Sequence, residues 1–215
     1  MSAERTAATA AKPTGPGRPK DLGKRAAILG SATRLFIEQG FDGVSMDQIA
    51  AAAGASTLTV YSHFGDKETL FAAVARSYCE RQVPSSLFTA DPGMPVRERL
   101  LAIARAFYTM VSSPEAIAGH RFLCSPQITT SSLPRVFWEG GPMRVQDEFA
   151  ALLDRRVATG ELEVPDSRTA AGQFFALLKG NPYSQLVFGC CAGNPDVEAH
   201  LQASVDMFLR AYARR

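Results

Sequence analysis

Between Thr57 and His63 the chain sets out Thr57, Leu58, Thr59, Tyr61, Ser62 and His63, a run of hydrogen-bonding tips with one methyl-rich side chain among them. The hydroxyls of Thr57, Thr59 and Ser62 can bond base edges or phosphate oxygens, and Leu58 can touch a thymine methyl group. The same side chains suit a solvated helix face. Only Val60 and the following Phe64 are obliged to point inward. The run contains no Arg or Gln, so the strongest bidentate contacts to bases are missing from it.

The elements that hold this run are legible from their boundaries. Ser45 stands just before Met46, Ile49, Ala50 and Ala53, an apolar stripe at helical spacing, and Gln48 lies three residues on. That arrangement is a capping box and marks a helix start. Gly54 supplies the residue that tolerates the left-handed conformation ending a helix, and Ser56 can cap a second helix from Thr57 to about Ser62. Two short helices joined by a tight glycine turn describe a helix-turn-helix, whose second helix can enter the DNA major groove. An ordinary helical hairpin is the competing interpretation.

The longer stretch V-S-M-D-Q-I-A-A-A-A-G-A-S-T-L-T-V-Y-S-H-F-G-D-K-E-T-L-F resembles the DNA-binding signature of the TetR family of bacterial transcriptional regulators. The resemblance runs from about Lys24 to Val74 without a gap, with one departure, Ala55 standing where a larger aliphatic residue is usual. It implies an all-α protein: a three-helix DNA-binding head followed by a helical body that dimerises and binds a small effector. It also implies that Tyr61, His63 and Lys67 hold the phosphate backbone. The candidate DNA-contacting set is therefore Arg18, Lys20, Ser45, Ser56, Thr57, Leu58, Thr59, Tyr61, Ser62, His63 and Lys67.

Charge sharpens part of that set. The chain has a formal net charge of +2, which argues neither for nor against nucleic acid. Between Lys12 and Arg25, however, Lys12, Arg18, Lys20, Lys24 and Arg25 face only Asp21. A basic run ahead of a helix-turn-helix can follow the backbone or enter a narrow minor groove, which concentrates negative potential. Residues 1–20, rich in Ala, Thr, Gly and Pro, are expected to form a disordered basic arm. Residues 21–80 are then the DNA-binding domain and residues 81–215 the body.

Around the signature, the spacing predicts a first helix from about Leu22 to Gly40 with Ile28, Ala32, Leu35 and Phe36 on one face. A fourth helix starts at Asp66-Lys67-Glu68, where a phosphate would meet both the Lys67 ammonium and free backbone N–H groups. Pro84 to Pro95 reads as a turn-rich connection, and Pro126 to Leu133 as a polar linker. Gly180-Asn181-Pro182 should kink or break a helix that begins at Asp166, and Asn194-Pro195 should open the last one. No stretch shows sustained strand alternation.

The body carries aromatic residues, most of them expected in the core. Phe107, Met110, His120, Phe122, Trp138, Phe149, Phe174 and Phe175 are the candidates for lining a mostly apolar effector pocket. The resemblance assigns dimerisation to the last two long helices, about Asp166 to Phe188 and Pro195 to Ala213. The expected partners are thus an operator in double-stranded DNA, a small molecule and a second copy of the chain.

Enzyme chemistry finds little support. No nucleophile–base pair, metal cluster or phosphate loop has recognisable spacing, so neither a cofactor nor a metal is expected. His120 and Cys124 share a helix face only if the helix reaches that far. Adjacent Cys190 and Cys191 suggest a redox- or metal-responsive regulator, but free cysteine is more often a packing residue. A ligand-binding protein that keeps the fold without DNA is the remaining alternative. No apolar run approaches the roughly 18 residues that span a bilayer, and the start lacks the apolar core of a secretory signal, leaving the cytoplasm as the default compartment.

Overall fold

The computed structural model describes residues 22–89, 93–190 and 196–214. Arg18, Lys20, Cys191, Asn194 and Pro195, about which expectations were formed above, lie outside the described residues. Twelve helices follow one another along these segments, and the described residues form no named strand, only an isolated antiparallel bridge between Leu162 and Ala213.

The head consists of α1 (Leu22–Gln39), α2 (Met46–Ala52), α3 (Thr57–Phe64) and the first half of α4 (Lys67–Gln82). The starts of α2, α3 and α4 are each fixed by a local bond. The Ser45 hydroxyl accepts from the Gln48 backbone N–H while the Gln48 side chain accepts from the Ser45 N–H at 2.7 Å, which completes the capping box. Ser56 caps α3 through the Thr59 N–H, and Asp66 caps α4 through the Thr69 N–H. Gly54, at φ +61°, makes the turn between α2 and α3. A side-chain-bearing residue would be strained there. Ile28, Ala32, Ile49 and Val60, all fully or almost fully buried, meet beneath the turn.

The body contains α5 (Ser86–Thr89), α6 (Val96–Val111), α7 (Pro114–Leu123), α8 (Pro126–Thr129), α9 (Leu133–Gly140), α10 (Pro142–Ala158), α11 (Ser167–Phe188) and α12 (Val197–Tyr212). Its core centres on Phe149, Phe174 and Phe208, with the rings of Phe149 and Phe174 stacked at 4.5 Å and the Phe174 and Phe208 rings edge-on at 5.0 Å. The long helices α10 and α11 pack together, as do α6 and α12. Arg105 donates to Glu198 at 2.5 Å and Arg97 to Asp206 at 2.7 Å along the α6–α12 seam. No helix among the described residues is long and apolar enough to cross a membrane.

Four expectations need correcting. The connection after α4 is not turn throughout, because α5 forms in it and buries Phe88 against the body core. The supposed polar linker contains α8, whose one apolar residue, Ile128, is buried together with Leu133 in the core of the head. Polar neighbours hid that anchor. The last helix is capped by Asp196, whose carboxylate accepts from the Ala199 N–H. Finally, Cys190 is exposed, so it does not pack. The break in α11 falls where the sequence puts it, with Gly180 outside helical geometry ahead of Pro182.

Helix α9 closes the gap between the two halves. A Cβ on Gly140 would stand 2.9 Å from the Ala72 carbonyl oxygen, and one on Gly141 2.9 Å from Cys79 Sγ. Two glycines therefore let the end of α9 lie directly on the backbone of α4.

Candidate nucleic-acid interface and the adjoining cavity

Helix α3 turns Leu58 and Tyr61 outward, 79% and 48% exposed, beside exposed Ser62. The two threonines are less free than their sequence suggests. Thr57 donates its hydroxyl to Asp47 at 2.5 Å, and the hydroxyls of Thr59 and Ser56 bond each other at 2.8 Å. Toward a base edge Thr57 thus retains lone pairs only, which suits an amino-group donor. Asp47 belongs to this surface although the sequence reading passed over it. His63 is partly buried, and its Nδ1 is buried without a hydrogen-bond partner. Ser45 and Ser56, both exposed, act here as helix caps.

Lys67 departs from expectation most clearly. Its ammonium donates to the carbonyls of Phe41, at 2.9 Å, and Val44, at 3.0 Å, and lies 4.3 Å over the Phe41 ring. The turn between α1 and α2 leaves these carbonyls facing α4, and the ammonium satisfies them. Two of its three donors are thereby committed inside the head, where they tie α1, α2 and α4 together. On the same side, the Arg25 guanidinium stacks 5.2 Å from the Phe64 ring centre.

Behind the head lies a cavity of about 640 Å³ lined by α1, α4, α6, α7, α9, α10 and α11. Of the eight candidates, Phe107, Met110, His120, Phe122, Trp138 and Phe175 line it. Phe149 and Phe174 do not, because their rings are fully buried against each other and against Phe208. Phe174 and Phe175 both pack on Phe149, but helical rotation of about 100° per residue takes Phe174 on to Phe208 and Phe175 to Phe107 at the cavity wall.

The head contributes walls that the sequence reading assigned to core alone. Phe36, Phe41 and Phe71 line the cavity, with ring centres 5.4 to 5.6 Å apart, and Phe71 continues to Phe137 on α9 at 6.5 Å. Lys179 and Tyr183 form a polar corner near His120. Burial holds Lys179 below its ordinary value and, together with the Lys179 charge, does the same to His120. Burial also raises Tyr183, and raises the Cys79 thiol to about 11. A lone charge after the apolar run Phe174-Phe175-Ala176-Leu177-Leu178 was the available signal for Lys179. Cys124 Sγ lies 3.6 Å from His120 Nε2, and no group of three or more metal-ligating side chains forms among the described residues.

A capped helix pair with an exposed second helix, set over a helical body with a largely apolar cavity, is a combination that known proteins share. Residues 28–74 match the family described as bacterial regulatory proteins, tetR family, and residues 98–214 match the AefR-like transcriptional repressor C-terminal domain, more than half of the chain. The chain belongs to the TetR family. It is a DNA-binding transcriptional regulator.

Two curated TetR relatives illustrate the distance. The transcriptional regulator SrpR of Pseudomonas putida is 30% identical over 164 residues, 75% of either chain. The transcriptional repressor AcnR of Corynebacterium glutamicum is 28% identical over 145 residues, 66% of this chain and 71% of its own. Among solved structures, a TetR-family regulator from Mesorhizobium loti superposes with a TM-score of 0.74 at 29% identity, covering 92% of this chain and 100% of its own. The flavonoid-responsive regulator FrrA gives 0.70 at 31% identity, covering 89% and 98%.

Proposed function

We propose that the chain is a repressor that binds a palindromic operator as a homodimer and is released when a small, mostly apolar effector enters the cavity. The observation that carries this reading is the wall shared between cavity and head. Phe41 turns its ring to the cavity and its carbonyl to Lys67, so a guest pressing on Phe36, Phe41 and Phe71 acts directly on the joint between α1 and α4. A ligand that favours one arrangement of that joint shifts the spacing of two heads only by its differential affinity for the two arrangements.

Further features support the details. Ala199, Ala203 and Met207 stand exposed at four-residue spacing on α12, and Ala176 is exposed on α11, which suits a close helix contact across a two-fold axis. Repression accords with the description of the matched body and with AcnR, and an aromatic effector accords with FrrA. Tyr61, His63, Ser62 and Leu58 form the contact surface on α3, with Lys67 as positioning residue. The arm with Arg18 and Lys20 follows the minor groove. The cytoplasm, where the operator lies, is the site of action.

Gel-shift titration against DNA upstream of the protein's own gene, at several salt concentrations, tests this reading. A sedimenting dimer should shift that DNA, and deletion of residues 1–20 should weaken binding and flatten its salt dependence. A monomer at micromolar concentration, or an unchanged salt slope, would remove the dimer or the arm respectively.

A further inference from the structure

The cavity is not uniformly apolar, and its polar groups are unevenly placed. Phe107, Phe122, Phe137, Trp138 and Phe175 supply flat ring surfaces over much of the wall. At one end stand Lys179, His120 and Tyr183. The Lys179 ammonium lies 5.5 Å from the centre of the Tyr183 ring, and the His120 ring meets that same ring edge-on at 5.7 Å. Lys179 makes no hydrogen bond and no ion pair among the described residues, although it is partly buried. Partial burial without a carboxylate partner disfavours the charged form of an ammonium.

The one carboxylate in the lining, Glu115, does not relieve it. Glu115 is exposed in the first turn of α7, whereas His120 lies in the last, five residues or about 7.5 Å further along the axis. The charge that Lys179 projects falls on His120. The cation therefore sits at the far end of α7 from the acid, over the ring of Tyr183 and near His120, two residues that can each donate a hydrogen bond.

We propose that the cavity takes a lipophilic carboxylic acid, its ring-bearing body among the phenylalanines and Trp138 and its carboxylate on the Lys179 ammonium, with the Tyr183 hydroxyl and a His120 N–H as supporting donors. This rests on the cavity being the effector site and names the chemical class of what enters it. A single ammonium without Arg in the lining suits one negative charge. A phosphate dianion would call for a guanidinium fork or a set of backbone N–H groups. The guest's carboxylate would supply the counter-charge that the fold withholds from Lys179. Burial already disfavours the free ammonium, so pairing with an anion gains more here than at the surface.

The test uses three compounds of one shape on the full-length protein: para-phenylbenzoate, the neutral para-phenylbenzamide and the cationic para-phenylbenzylamine. Calorimetric titration should show the benzoate binding at least about tenfold more tightly than either of the others. In Lys179→Met that preference should collapse to about twofold or less while the benzamide affinity is retained, and Lys179→Gln should behave the same way. Thermal melting of both variants without ligand checks that they fold. Equal affinity for benzoate and benzamide in the wild type, a preference for the amine, a preference that survives both substitutions, or no binding of any compound at about 1 mM would each overturn the assignment. Operator release is measured separately. Lys179-dependent benzoate binding that leaves DNA affinity unchanged would uphold the head-group assignment and defeat the effector reading, whereas equal release by benzoate and benzamide would uphold the effector reading and defeat the assignment.

Discussion

Helices α3 and α11 both interrupt an apolar face with polar groups, but they aim them in opposite directions. On α3, Val60 and Phe64 anchor the helix while Leu58, Tyr61 and Ser62 are offered to solvent. On α11, Phe174, Phe175 and Leu178 are buried, and the lysine that follows them, partly buried, lines the cavity. An outward-facing site can be assembled by one short segment with its own caps. An inward-facing site needs walls from several helices, and here seven contribute, including two from the head. The first kind of site is local in sequence and the second is not.

The sharpest way to break this comparison is to treat all the body aromatics alike. Phe174→Ala, which empties the stacked core, should cost about 3–5 kcal/mol in denaturant unfolding. Trp138→Ala, at a cavity wall already 47% exposed, should cost about 1 kcal/mol or less. Similar losses at the two positions would mean that the cavity is part of the core and is not a separate compartment.

Lys67→Ala probes the boundary between outward and inward roles. Loss of its bonds to Phe41 and Val44 should destabilise the isolated protein by about 1–3 kcal/mol, visible in thermal melting without DNA. If only DNA affinity fell and melting stayed put, the ammonium would be a phosphate ligand after all.

The smallest effect concerns the α6–α12 seam. The Arg105 guanidinium holds Glu198 down to about 2, below its ordinary 4.5. A carboxylate depressed on folding adds stability above its unfolded value and loses it as pH falls through the folded one. The advantage of the wild type over Glu198→Gln should therefore be present at neutral pH and fade between about pH 4.5 and 2. Both side chains are exposed, so the difference will be slight and salt-sensitive. A gap that persists at the acid end would exclude this pair as its source.

The same contrast explains what could be seen in advance. Ser45 with Gln48, Gly54, Ser56 and Asp66 each act within four residues of themselves, so the chain order alone displays them. The break at Gly180 and Pro182 is legible for the same reason. Ile128 was not, because one buried residue among Gln127, Thr129 and Thr130 has no periodicity to betray it. Nor could sequence separate Phe174 from Phe175, since both are buried and only the arrangement of other helices decides which of them meets empty space. The structural bonds of Lys67 were not legible because its partners are carbonyls more than twenty residues upstream, and backbone carbonyls leave no mark in a sequence.

The contact of Gly140 and Gly141 with α4 has a mechanical meaning. Side chains between two helices act as soft spacers, since a rotamer change can absorb a displacement before the backbone feels it. Where Gly140 meets the Ala72 backbone, and Gly141 the Ala75 carbonyl, there is no such slack. A guest that pushes Phe137 on α9 should therefore press on α4 through the Gly140–Ala72 contact, and α4 begins at the turn that follows α3.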